Sequence, residues 1–520
     1  MPHRSVRLGG EQENGYAKRS TILFVLVAFF IAGLALAQDA PAEKPQGAPD
    51  AQAVRPWTDA SGQHQVRGAL IAVAHGLVRL KRADNGAEVA LPLEKLSPAD
   101  QMWIAARSAP PEAAAPSKTA APPAGGKVAE NAWPCWMGPN YDAKSTDTNL
   151  LKRWPPRGPT LLWKAGDIGQ GYSSVTVTRE TVYITGEKEG KLMLSAFDLQ
   201  GKRKWEVEHG PAWSGDSPGA RGSAAVDGDR LYLLSGPGLL RCFDAQSGEK
   251  KWSCDAQQFG GKPGRWGYAE SPLVWGRLVI FKPGGESCVV ALNKMTGKKA
   301  WASHGFAAGP EYGSCLPIYY DSRYLLVTGT SEGLVCLKAG SGERLWTHKF
   351  AEHNIANCPT PVTSDGYIFW ANGYGKGGIC LKLGPRGKAS EAWTTHDMVC
   401  HHGGYVIDNG YVYGNNEGEW TCLDLRTGRK IWSDKGVGKG SLCWADGMLY
   451  LFSEHNGQAA LATCSPSGLK ITGWVKVQGE GPSWAHPVVA GGRLYLRYDT
   501  NLYCFDVAAK EAPISLGPEK

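Results

Sequence analysis

LDLRTGRKIW, residues 423–432, is one of four near-copies of a single phrase. The others are FDAQSGEKKW at 243–252, LNKMTGKKAW at 292–301 and LKAGSGERLW at 337–346. Each reads as the end of a strand, a glycine turn and a returning strand closed by tryptophan, since glycine reaches the positive φ that tight turns need. Upstream stand runs such as RLYLLSG (230–236), RLVIFKPG (277–284), GYVYGNNEG (410–418) and GMLYLFSEHNG (447–457), which read as further short strands. The tryptophans at the repeat position, Trp163, Trp205, Trp252, Trp301, Trp346, Trp393, Trp432 and Trp474, are spaced by 39 to 49 residues. A period in the forties with about four strands per unit marks a β-propeller.

Counting the repeats predicts how the ring closes. Seven are complete between Gly166 and Val477, and the last, Ser483 to Val507, lacks its tryptophan strand. Leu161-Leu162-Trp163 is a tryptophan strand without its partners. Joining the two gives an eighth blade that unites both ends of the domain and leaves no open sheet edge. The predicted fold is therefore all-β, an eight-bladed propeller over 131–510 with a short tail at 511–520.

Composition agrees. The 520 residues are 42% hydrophobic and 20% charged, as in a globular chain, with 67 glycines and 20 tryptophans. A net charge of +7 without a long basic block argues against a nucleic-acid partner. At the N-terminus Arg4, Arg7, Lys18 and Arg19 precede an uncharged run from Thr21 to Ala37 that ends in small residues. This is the order of a secretory signal cut between Ala37 and Gln38, with an uncleaved anchor as the alternative and the only expected membrane contact. Both readings export the rest of the chain to the periplasm or cell envelope.

Thirteen cysteines in an exported chain invite a disulfide reading. Their spacing opposes it. Cys242, Cys288, Cys336, Cys380, Cys422 and Cys504 recur once per repeat at an apolar strand position, and couples such as Cys315/Cys336 and Cys358/Cys380 are 21 or 22 residues apart. Strands two positions apart in a sheet lie ~9.5 Å apart, beyond the ~7 Å reach of a disulfide. They read as small buried hydrophobes.

Two linkers, 38–54 and 108–130, are rich in alanine and proline and too poor in large apolar residues to order themselves. Between them, 55–107 shows strand-like runs at Gln65–Val73, Leu77–Lys81 and Glu88–Leu93, then Ser97-Pro98-Ala99-Asp100, which starts a short helix. On the phrase LPLEKLSPADQMWI (91–104) this segment resembles the SLA-one homology domain, a small SH3-like barrel, and the resemblance implies protein binding.

The tryptophan phrases resemble the repeats of pyrroloquinoline-quinone (PQQ) dehydrogenases, where such a tryptophan docks one blade on the next. Over the whole domain the chain is similar to bacterial exported PQQ-like propellers, on PCWMGPN (134–140), GYSS (171–174), IANCPTPV (355–362), HHGGYV (401–406), GKGSL (438–442) and WAHPVVAGGRLYLR (484–497). It resembles, more distantly, BamB, the propeller lipoprotein of the outer-membrane assembly complex. In the dehydrogenases the cofactor stacks between a tryptophan and a disulfide of adjacent cysteines beside calcium. No Cys-Cys pair occurs here and no acidic run has calcium-loop order, so the resemblance does not bring PQQ or calcium with it. The repeat tryptophans read as buried packing between blades.

Aligning the repeats on their second strand puts Glu270, Thr360, His402, Ser441 and His486 near one position, the start of the innermost strand. There they ring the mouth of the central channel, with Arg221, Tyr268, Asn357, His401, Lys439 and Trp484 around them. Such a funnel suits a metal, an anionic ligand or a peptide; a wet channel lined by polar groups is the plain alternative. On a strand, vicinal His401 and His402 point opposite ways, so only one is expected to face the axis. Near solvent, these residues are expected to matter for binding and little for stability. HEXXH, GxSxG and Walker motifs are absent. The leading function is a cell-envelope binding scaffold whose partners are envelope proteins or peptides. A quinoprotein-like dehydrogenase, and a metal-centred hydrolase or metal-binding protein around His402 and His486, are the alternatives.

Overall fold

The fold is that of a computed structural model describing residues 55–59, 64–74, 77–92, 95–97, 100, 132–351 and 355–509. The signal, both linkers and the tail lie outside the described residues. The chain divides into two units, 1–115 and 116–520.

In the first unit, Arg55–Thr58, Gln65–Ala74, Leu77–Arg82 and Glu88–Pro92 form an antiparallel sheet in chain order. Trp57, Val78, Leu80 and Leu96 are its core, and the Trp57 indole N–H donates to the Gly68 carbonyl at 3.0 Å. Gly68 is required there: a Cβ would meet the Lys81 carbonyl oxygen at 2.6 Å. Ser97 and Asp100 cap each other, Asp100 N–H donating to Ser97 Oγ and Ser97 Oγ–H to the Asp100 carboxylate.

In the second unit the described residues form eight four-stranded antiparallel sheets, numbered here in chain order from Thr176. Sheet 8 is Val488–Ala490, Arg493–Tyr498 and Asn501–Asp506 completed by Thr160–Ala165, with Cys504 opposite Trp163. This is the closure read from the repeats. Middle strands such as Tyr367–Asn372 are buried throughout, whereas outermost strands such as Ala389–Thr395 are largely exposed.

The repeated phrase has a local cause. Asp244 Oδ1 accepts from the main-chain N–H groups of Gln246 and Ser247 and from the Ser247 hydroxyl, and Gly248 then turns the chain at φ 75°. Asp424, Thr427 and Gly428 repeat this arrangement. The preceding sheet's tryptophan lies on that glycine: a Cβ on Gly248 would stand 2.9 Å from Trp205, and one on Gly428 2.6 Å from Trp393. The indole N–H groups of Trp163, Trp252, Trp346, Trp393 and Trp432 donate to carbonyls of the next sheet's turn. So the tryptophans bridge sheets, but they are not buried as expected. All eight sit on outermost strands, seven are half-buried, and Trp474 is 41% exposed.

The cysteine pattern follows from the same register. Each tryptophan stands opposite a small residue on the third strand: Cys242, Cys336, Cys380, Cys422 and Cys504, or alanine at Ala196, Ala291 and Ala460. Cysteine and alanine are interchangeable there because only size matters. Cys288 is an exception to the expected series, since it precedes its strand and Ala291 takes the place facing Trp301. All thirteen cysteines are free.

A feature with no counterpart in the repeat is the segment 132–150, which straps one end of the ring. Trp133 bridges Val177 of sheet 1, and Tyr141 OH donates to the Val274 carbonyl of sheet 3. Lys144 pairs with Asp408 at 2.7 Å, and Leu150 N–H donates to Asp446 at 2.9 Å.

One core group makes stability pH-dependent. His209 is 0% exposed, its Nε2 lies 2.9 Å from the Leu233 carbonyl, and burial pushes its pKa down to about 4. A depressed histidine contributes stability that is full above about 6.5 and lost as pH falls toward 4, here about 3 kcal/mol at ~1.4 kcal/mol per unit. His209→Gln keeps a donor and does not titrate. Denaturant midpoints at pH 7 and pH 4.5 should differ less for this variant; an equal difference would show that His209 is reached by water.

Candidate functional site

A cavity of about 270 Å³ opens where the connections between sheets converge. Tyr172 precedes sheet 1, Arg221 joins sheets 1 and 2, Trp266 joins 2 and 3, and Tyr312 joins 3 and 4. Cys358 joins sheets 4 and 5, His401 and His402 join 5 and 6, and Trp484 and His486 join 7 and 8. Trp136 of the strap and Tyr374 complete the wall. Among the described residues this lining holds no carboxylate.

Rings dominate it. Trp484 stacks on His402 at 4.4 Å and lies 4.4 Å from Tyr172. His401 lies 3.6 Å from His402 and meets Tyr374 edge-on at 4.6 Å. Both histidines therefore border one cavity, against expectation. Residues 401–403 form a bend, not a strand, so the alternation of side chains does not apply. Burial, with Lys439 nearby, pushes His401 down to about 4, and burial beside His401 takes His402 well below its ordinary value. Both imidazoles are neutral at pH 7.

The other expected ligand residues divide into three groups. His486 borders the cavity, yet its Nε2 is engaged by the His402 carbonyl at 2.8 Å. Arg221 also borders it, but its guanidinium donates to the carbonyls of Trp266, Gly219, Asp216 and Ser217. It is a clasp on a loop, stacked over Tyr172. Lys439 stands behind the wall, 3.2 Å from His401 Nδ1 and 3.5 Å from Glu454.

Glu270, Thr360 and Ser441 are buried and do not reach the cavity, which overturns the expectation that they lie near solvent. Thr360 and Ser441 belong to a belt of hydroxyl bonds running from sheet to sheet. Ser223 N–H donates to Ser271, Ser271 N–H to Ser314 and Ser314 N–H to Thr360, at 2.9–3.0 Å. Ser441 donates to the Ala485 carbonyl, and His486 N–H donates to Ser174. The aligned repeat position is thus a joint between blades. Glu270 accepts from Lys282 N–H and faces the buried Lys282 ammonium. Tyr268 is buried with its hydroxyl on the Pro283 carbonyl, and Asn357 N–H donates to Glu311.

Sequence reasoning missed Trp136, Tyr172, Trp266, Tyr312, Tyr374 and Cys358. Each lies in the strap, a connection or a hairpin turn, outside the strands that the repeat aligns. Cys358 was masked by the other cysteines, although it precedes its strand.

The family of the outer membrane protein assembly factor BamB matches residues 191–434, and SLA1 homology domain 1 (SHD1) matches 45–109. The chain is a PQQ-like propeller with an N-terminal SHD1 module. Solved structures share the propeller's fold. BamB from Moraxella catarrhalis matches with a TM-score of 0.51 at 15% identity, over 68% of this chain and 99% of that one. Quinohemoprotein alcohol dehydrogenase from Comamonas testosteroni matches at 0.55 and 13% identity, over 75% and 82%. A europium-containing methanol dehydrogenase matches at 0.52 and 13%, over 71% and 89%. No curated protein matches the chain.

The propeller's residues do not fit the quinone. PQQ is a planar tricarboxylate that needs free cationic donors, and the one cation among the described residues of the cavity wall, Arg221, has its guanidinium committed to four carbonyls. Calcium needs oxygen ligands, above all carboxylates, and the described wall has none. The adjacent-cysteine disulfide has no equivalent.

Proposed function

We propose that this chain is an exported cell-envelope binding scaffold whose propeller seats a bulky apolar or aromatic side chain of a protein partner in the funnel cavity. The SHD1 module serves as a second interaction surface. The observation that carries this reading is the wall itself: Tyr172, Trp266, Tyr312 and Trp484 from four connections between sheets, Trp136 of the strap and Tyr374 of a hairpin turn, with neutral imidazoles and no carboxylate among the described residues. At about 270 Å³ the space is smaller than the ~300–1,000 Å³ of drug-sized ligand sites and matches one large side chain. Such aromatic pockets hold the energetic centres of protein interfaces. The inter-sheet hydroxyl belt keeps the pocket preformed, which lowers the entropic cost of binding.

The test pairs capture from envelope extracts with substitutions that spare the core. Trp484→Ala and Tyr312→Ala should each weaken retention of the captured partner by about 2 kcal/mol, roughly 30-fold, with little change in melting temperature. Undiminished retention in both would move the interface off the funnel. Redox-dye activity on adding PQQ and calcium would instead establish the dehydrogenase reading.

A further inference from the structure

We infer that Cys358, His401 and His402 form a copper(I) site in the cavity wall, independent of the partner reading above. One ligand atom from each of the three residues lies within 4.8 Å of the others. Three ligands at ~2.0–2.3 Å from one ion stand about 3.5–4 Å apart, so closure needs these atoms to approach one another by about 1 Å.

A second observation points the same way. His401 Nε2 and His402 Nδ1 are buried without any hydrogen-bond partner; binding through His401 Nε2 puts that ring's proton on Nδ1, so the Lys439 ammonium, 3.2 Å from Nδ1, turns from it to Glu454. Buried ring nitrogens are ordinarily satisfied, and orphaned ones call for an explanation such as an ion. His486 is excluded from the set because its Nε2 is held by the His402 carbonyl. The expected pairing of His402 with His486 is thus replaced by Cys358, His401 and His402.

The donor set and its charge select the metal. One thiolate and two neutral imidazoles are soft to borderline ligands that suit copper and zinc, not calcium or magnesium. On binding, the Cys358 thiol gives its proton to solvent and its sulfur takes the metal, and the imidazoles bind without losing charge balance. Copper(I) then leaves the site neutral, whereas zinc(II) leaves a net positive charge. The described wall offers no carboxylate to offset that charge, and Glu454, behind the wall, is already taken up by Lys439 at 3.5 Å. An unpaired buried charge is costly, so the monovalent ion is favoured.

The test uses the full chain, without oxygen and with reductant, competing for copper(I) against bicinchoninate. The wild type should withdraw one copper per chain from the probe and gain thermal stability on doing so. Outer partners of a metal site are worth ~10–100-fold in affinity, so losing a direct ligand in Cys358→Ser or His402→Gln should cost at least about 100-fold. Cys254→Ser should keep its copper. His401→Gln supplies a second ligand variant should Cys358→Ser melt early without metal. Failure of the wild type to compete, equal retention in the ligand variants, or displacement of copper by equimolar zinc would overturn the assignment.

Discussion

A chain beginning at Gly166 will not yield a stable monomeric ring, whereas one beginning at Ala132 will melt close to the full-length protein. The longer chain keeps Thr160–Ala165, which pairs with Asn501–Asp506 and completes sheet 8. It also keeps the strap and the residues just after it, where Trp133 and Trp154 are each 3% exposed and Leu150 is buried. Truncating a buried tryptophan costs about 3–5 kcal/mol and a leucine about 2–5, so these three side chains alone approach the ~5–15 kcal/mol of a typical domain. Opening sheet 8 further exposes the unpaired edge of Asn501–Asp506, a template for association. Size-exclusion chromatography and thermal melts on the two chains are decisive. A monomer starting at Gly166 with an unchanged midpoint would show that closure contributes little.

The ring was legible in the sequence because its signals are local and repeated. The Asp-to-Gly turn, the tryptophan and the small residue facing it all lie within one hairpin, so each repeat restates them. The strap was not legible, because its contacts join residues far apart in sequence: the Trp136 indole N–H donates to Thr360 across 224 positions. The cavity fell between these cases. Aligning repeats found the right level of the funnel and the wrong side chains, since the aligned position serves the inter-sheet belt and the connections beside it line the space. Only His401, His402, His486, Trp484 and Arg221 of the expected set border the cavity. Gly403 and Gly404, which end the His401-His402 bend, were the available sign that this stretch is not a strand.

Two buried cations tie neighbouring sheets together, and one of them allows a sharp test. Arg497 of sheet 8 donates to Ser173, Thr185 and Gly169 around sheet 1. Lys282, after the second strand of sheet 3, is 0% exposed and donates to the carbonyls of Gly313 and Gly329 on the sheet 4 side. Its counter-ion is Glu270, 2% exposed, with Oε2 at 4.0 Å from the ammonium. The lysine in RLVIFKPG, alone in an apolar run, was the sequence sign of this pair.

Lys282→Met should destabilise the propeller by about 3–5 kcal/mol at neutral pH, the usual cost of leaving one partner of a buried pair behind. The variant also strips two buried carbonyls of their donor. The pH dependence identifies the cause. Burial already raises Glu270 to about 7, held from rising further by Lys282. A carboxyl raised in the folded state contributes stability that is full below about 4.5 and lost as pH climbs through its folded value. Removing Lys282 raises that value again, so the deficit of Lys282→Met should be smaller at pH 5 than at pH 8. Adding Glu270→Gln removes the ionisable group, and the double variant should recover part of the loss at pH 8 and show little pH dependence of this origin. Denaturant midpoints for the four proteins at both pH values complete the cycle. A deficit below about 1 kcal/mol that does not change with pH would mean that water reaches the pair. Glu270 would then regain its place among the groups available to a ligand.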